Sequence, residues 1–319
     1  MRPGGAAGGA GAKQTISALR VVTLPQIRHI PATGRTPISP SIISGVRPPV
    51  NIRGQMTYLL LAILLVAATA HLVRPALAAT HQLSVSVTDT RVLVALFPAI
   101  LSVTLVFGLT FALALILALL VKEMGHVLGY RLAGHDDAQL RLLPLPGGPG
   151  ISARAPANDA AALFILLMGP GFGLAPMVLA FALGAALQST APALADTARS
   201  YALAAGAVNF IALLPLWPLP GGRLLQLLMR ARFPHLRGLV AAALTAFAIG
   251  LSLTLHSGLL FLVGLLTALA LVLRPGDMQS TRPRLSRAQA RTGFFAYFAS
   301  IAAYFMGGWW VLQVFPALF

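Results

Sequence analysis

The chain has 319 residues, 57% of them hydrophobic and 9% charged, with a mean hydropathy of +0.83. A composition this apolar excludes a water-soluble domain, and the absence of cysteine excludes disulfides, thiolate metal sites and thiol nucleophiles. Twenty-three Lys and Arg against 7 Asp and Glu give a formal charge of +16, but the arginines lie mostly in short connections between apolar runs, so the excess reads as membrane topology and not as nucleic-acid binding.

Residues 1–55 are rich in Gly, Ala, Pro and Arg, contain no acidic residue and show neither helical nor alternating periodicity, which predicts a disordered basic tail. A transmembrane domain is expected over 56–319. A crossing helix needs about 20 apolar residues. Runs of that kind recur about seven times: 57–79, 93–121 continuing as helix to about 131, 160–187, 199–219, 238–254, 256–273 and 294–315. Pro98 is expected to break the second run near its start. The expected fold is therefore an all-α polytopic membrane protein.

Alternate connections should be rich in arginine on the cytoplasmic side. Arg131, Arg141 and Arg154 fall in one such connection, Arg223, Arg230, Arg232 and Arg237 in the next, and Arg282, Arg284, Arg287 and Arg291 in the third. With the basic tail, this pattern predicts a cytoplasmic N-terminus in a bacterial plasma membrane and a C-terminus on the far side. The longest connection, Tyr130 to Ala155, is broken by Pro144, Pro146 and Pro149; its segment Leu140 to Leu145 could form a small hairpin, an edge sheet or a plain loop.

Glu123 is the only glutamate of the chain, and it follows Lys122, one of two lysines, near the end of a long apolar run. A charge within a membrane-spanning helix costs roughly 2.5–3.5 kcal/mol on insertion scales, so this pair marks the first place to look for chemistry. Lys122-Glu123-Met124-Gly125-His126 has the form HExxH with its first His replaced. By the expected topology it lies at the same depth as a second unusual segment, Leu213-Leu214-Pro215 through Pro220-Gly221-Gly222-Arg223.

These patches, with Gly169-Pro170 between them, resemble the site-2 protease family of intramembrane zinc metalloproteases over roughly residues 93–230. The resemblance implies a three-helix core formed by the second to fourth spans. In an HExxH site, two His at i and i+4 share a helical face and hold zinc, while the Glu handles the proton of the attacking water. A carboxylate from the later segment completes the family's ligand set. By this resemblance Glu123 takes the general-base position and His126 is the one retained metal ligand, supported by Gly169, Pro170, Pro215, Gly221 and Gly222.

Lys122 occupies the first ligand position and Pro220 the third; an ammonium has no lone pair and proline has no side-chain donor. Gly173 and Ala212 also stand where family members commonly place Asn. The expectation is thus a pseudoprotease without a cofactor, which binds or scaffolds the transmembrane segments of membrane-anchored partners. In it the Lys122 ammonium replaces the charge of the missing metal beside Glu123. Two other readings stand beside it: an active zinc metalloprotease with altered ligands performing regulated intramembrane proteolysis, and a small-solute transporter. The bilayer is the one partner that composition requires; nucleic acid is not among the expected partners. His71 and His256 read as interfacial or packed, the Trp309–Trp310 and Tyr304–Phe305 pairs as an aromatic belt or helix packing, and Gly206, Gly250, Gly264 and Gly307-Gly308 as points of close helix approach.

Overall fold

The computed structural model describes residues 52–78, 85–86, 90–141, 151–273 and 282–313. The tail expected over 1–55 lies almost wholly outside the described residues, as does the Pro/Gly-rich stretch 142–150. Among the described residues the elements are α1 (Ile52–Ala78), β1 (Val85–Ser86), α2 (Thr90–Phe107), α3 (Leu109–Leu132), β2 (Leu140–Arg141), α4 (Asp159–Ala186), α5 (Pro192–Leu213), α6 (Pro220–Arg232), α7 (Arg237–Thr254), α8 (Gly258–Leu273) and α9 (Arg287–Gly308). Short 3-10 turns follow α6 and α9.

The architecture is all-α, and among the described residues five stretches are long and apolar enough to cross a membrane: Met56–Ala76, Leu109–Leu132, Asp159–Ala186, Pro234–Thr254 and Arg287–Leu312. The expected seven are not shown: the runs that form α5 and α8 fall outside these five. Helix α8 has 16 residues, about 24 Å at the α-helical rise, which falls short of a ~30 Å hydrocarbon core. Helix α5 is long enough at 22 residues, but it is alanine-rich and carries Asp196 and Arg199.

The run expected as one helix over 93–131 is two. The break falls at Gly108 (φ 86, ψ 164) and not at Pro98, which sits inside α2. Proline in a helix removes one bond, whereas a positive φ reverses the path of the backbone and needs a residue without Cβ. The C-terminus of α3 closes on a second such glycine, Gly134 (φ 84), whose N–H donates to Arg131 O at 2.9 Å in a left-handed cap.

Helices α3, α4 and α5 pack pairwise on one another, α1 lies on α4, and α9 lies on α5. Small residues allow the approach. A Cβ on Gly125 would fall 2.9 Å from Gly169 O, one on Gly129 would strike Met168, and one on Gly206 would collide with the backbone of Gly307. Gly264 likewise packs on Ile249, but Gly250 faces open space and brings no helix close. Tyr304 is buried and donates to Pro170 O at 2.5 Å, and Trp310 packs edge-on against Phe111 at 5.7 Å, so these two are packing residues. Trp309 and Phe305 remain partly exposed, as do His71 and His256.

The outer helices show the exposure expected of a lipid-facing surface. On α1, Tyr58, Leu60, Leu61, Leu64 and Leu72 are more than half exposed, and α8 presents Leu262, Leu265, Leu266 and Leu269. Of the segment expected to be extended within 140–145, Leu140–Arg141 is described and pairs in parallel with Val85–Ser86, while 142–145 lie outside the described residues.

Candidate functional site

Helix α3 changes character along its length. Through its first half only Ala112, Ala114 and Ala118 are buried, while Leu109, Leu113 and Leu117 form an exposed stripe at i, i+4 spacing. From Lys122 to Gly129 nearly every position is buried. The three ionisable residues of this stretch sit where that change occurs: Lys122 is 8% exposed, Glu123 3% and His126 7%.

Lys122 Nζ lies 3.7 Å from Glu123 Oε1. Adjacent helical residues point about 100° apart, so this is an ion contact between bent side chains and not an aligned hydrogen bond. Lys122 and His126, at i and i+4, share a face, and the charges that bear on the imidazole are those of Lys122 and Arg223. The second of these belongs to the first turn of α6, so the Gly-Gly-Arg segment comes within electrostatic reach of α3.

The His126 ring is fixed by α4. Its Nδ1 lies 3.0 Å from Ile165 O; a carbonyl only accepts, so Nδ1 carries the hydrogen and Nε2 keeps the lone pair in the neutral ring. That ring occupies the space a side chain at position 169 would fill, since a Cβ on Gly169 would collide with His126 Nε2 and Cε1. Pro170, next in α4, gives its carbonyl to Tyr304.

The second segment is a tight reversal. Helix α5 ends at Leu213, six residues before the expected end of its run at 219, because Pro215 and Pro218 cannot continue it. The Trp217–Pro218 peptide is cis, and Pro220 opens α6 at N1, where a missing N–H costs nothing. Gly221 packs on the carbonyls of Leu213 and Leu214, and Gly222 on Leu216. Tyr297 of α9 donates to Leu213 O at 2.8 Å, so the end of α5 is tied to two other elements.

A zinc site does not fit this donor set. Of the three positions that the resemblance would make ligands, Lys122 offers a cation, Pro220 only a ring, and His126 a single nitrogen. Among the described residues no group of three His, Cys, Asp or Glu comes together. His135 and Asp137 are engaged elsewhere: His135 Nδ1 donates to Ser152 Oγ at 2.9 Å, and Ser152 donates to Asp137 Oδ2 at 2.9 Å. Arg154 adds a 3.1 Å ion pair to Asp137 Oδ1. Ser152 stands between the His and the Asp, whereas a nucleophilic triad places the His between the other two. The cluster therefore closes the connection between α3 and α4 and offers no activated nucleophile. Asp196 is exposed beside Arg199, at 3.9 Å.

Two buried polar features escaped sequence reasoning. Asp159, fully buried at the start of α4, takes Arg230 Nη1 of α6 at 2.7 Å and lies 3.7 Å from Arg282 Nε, while Arg230 also donates to Arg282 O at 2.6 Å. The rarity of acids in this chain was the available signal. Asn209 of α5, 1% exposed, donates to Ala205 O at 2.9 Å, and its amide lies beside the position where a Cβ on Gly173 would stand. An asparagine thus meets α4 at Gly173, from one turn before Ala212. No family model, curated protein or solved structure matches this chain.

Proposed function

We propose that this is a site-2 protease-like membrane protein whose catalytic centre is degenerate, a pseudoprotease that binds or scaffolds membrane-anchored partners. The observation that carries the reading is the contact of Lys122 Nζ with Glu123 Oε1 at 3.7 Å, one turn from a buried His126. A general base must be free to take a proton from water. Here the carboxylate has a cation within ion-contact distance, in the position where a metalloprotease would carry an imidazole.

A partner surface is at hand. The exposed stripe Leu109, Leu113 and Leu117 runs along α3 toward the Lys122–His126 level, and an apolar helix can lie along it without any polar group being buried. The proposed setting is a bacterial plasma membrane, with a cytoplasmic N-terminus and the Lys122–His126 level toward the cytoplasm. Lipid and other transmembrane segments are the proposed partners.

The test uses the purified full chain in nanodiscs with a model transmembrane helix. Expected are association with the helix, no cleavage, and zinc well below one atom per chain; Lys122→His with Pro220→Asp should raise zinc content. Stoichiometric zinc or cleavage by the native chain would transfer the reading to an active metalloprotease. Loss of helix association would remove the scaffold role.

A further inference from the structure

The end of the structure at which α6 finishes and α7 and α9 begin holds a groove that the proposed function leaves unused. A cavity of about 610 Å³ runs between α6 and the first two turns of α9, with an apolar floor that includes Leu225, Met229 and Phe294 and with Arg232, Arg287 and Arg291 on its walls. Arg287 and Arg291 are one turn apart on a single face of α9, and Arg232 reaches in from the end of α6. All three are exposed, and among the described residues no ion pair uses any of them. Asp159, the carboxylate tied to α6, is already taken by Arg230 and Arg282.

Depth gives these charges meaning. Two of the crossing stretches, Pro234–Thr254 and Arg287–Leu312, begin here, so the three guanidinium groups stand at the level of lipid headgroups while the floor of the groove continues toward the acyl region. Phe233 and Phe294, each nearly half exposed, line the transition. The occupant must therefore be anionic at one end and apolar at the other. The volume falls in the usual range for a bound small molecule, enough for a headgroup, a glycerol and the first part of a chain.

We infer that this groove seats an anionic phospholipid of the surrounding bilayer, its phosphate held by Arg232, Arg287 and Arg291 and its acyl chain along Leu225, Met229 and Phe294. Guanidinium groups match phosphate oxygens in paired hydrogen bonds. A zwitterionic lipid would bring its own ammonium into a cluster of three cations, which disfavours it. The bound lipid spans α6 and α9 and holds both together.

The experiment takes the full chain purified in neutral detergent and measures binding and thermal midpoint with short-chain phosphatidylglycerol, phosphatidylcholine and inorganic phosphate. Phosphatidylglycerol should bind at least about tenfold more tightly than phosphatidylcholine and raise the midpoint. Each arginine near a membrane surface contributes about fivefold to anionic-lipid affinity. Arg287→Gln with Arg291→Gln should therefore weaken binding about 25-fold, and Arg284→Gln, which lies outside the groove, should leave it unchanged. Should the double variant not fold, Arg232→Gln on the opposite wall carries the same expectation of about fivefold. Equal binding of the two lipids, arginine variants that bind normally, or inorganic phosphate matching the lipid in affinity would each overturn the assignment.

Discussion

The imidazole of His126 rests on the bare Cα of Gly169, in the volume that any larger side chain at that position would need. Helix α4 is thus shaped to receive the ring, and the Ile165 carbonyl one turn earlier sets its orientation. Gly169→Ala should destabilise the chain by about 1–3 kcal/mol, the usual cost of overpacking a closed site. His126→Ala makes room for the added methyl, so the double variant should recover part of that loss. Unfolding midpoints of the two single variants and the double variant decide it; strictly additive losses would show that ring and glycine do not compete for one space.

Lys122 and Glu123 are predicted to be coupled. Removing one partner of a buried ion pair leaves an uncompensated charge, and that costs about 3–5 kcal/mol in well-buried cases. Lys122→Met should therefore be more destabilising than Lys122→Met combined with Glu123→Gln. The same midpoint measurement in detergent checks the order. Equal stability of the single and double variants would remove the charge-compensation idea.

Asp159 and Arg230 tie the start of α4 to the end of α6, with Asp159 fully buried. Arg230→Met should cost about 3–5 kcal/mol by stranding the carboxylate, and Arg230→Met with Asp159→Asn should cost less. Thermal denaturation followed by tryptophan fluorescence reports both. If Arg230→Met proves near neutral, Arg282 carries the compensation instead.

A pH effect is expected in the connection between α3 and α4. The Ser152 hydroxyl, together with the Ala153 N–H and the Arg154 guanidinium, holds the Asp137 carboxyl down at about 2. A carboxylate with a lowered folded-state pKa contributes stability that is fully present above its unfolded value of ~3.9 and is lost as pH falls further toward the folded one. Hydrogen exchange at the Ala153 amide, which donates to Asp137 Oδ2 at 2.7 Å, should accelerate over that acidic window. Ser152→Ala should move the onset to higher pH; an unmoved onset would rule out the hydroxyl as the main cause.

Much of the architecture was legible because apolar runs and helix-forming residues act locally. Elements α1, α4, α7 and α8 lie close to where hydropathy put them. The errors have physical sources. Hydropathy cannot distinguish one long helix from two joined at Gly108, since the distinction is a single positive φ. It also extended α5 through Pro215, because Leu214, Leu216 and Trp217 are apolar although they form a reversal. The rarity argument singled out Glu123, the only glutamate, and passed over Asp159, one of six aspartates, which opens α4 behind the cap Asn158, whose side chain accepts from Ala161 N at 2.8 Å.

The sequence by itself determined that this chain is apolar enough to enter a membrane and that its chemistry excludes thiols, because composition alone settles both points. Tertiary structure decided the rest: which glycine bends the second run, that the His126 ring packs on Gly169, that Asp159 closes on Arg230, and that three arginines from two helices face one groove. Those are meetings between residues 39 or more positions apart, or choices of a single backbone angle, and neither leaves a periodic trace in the chain.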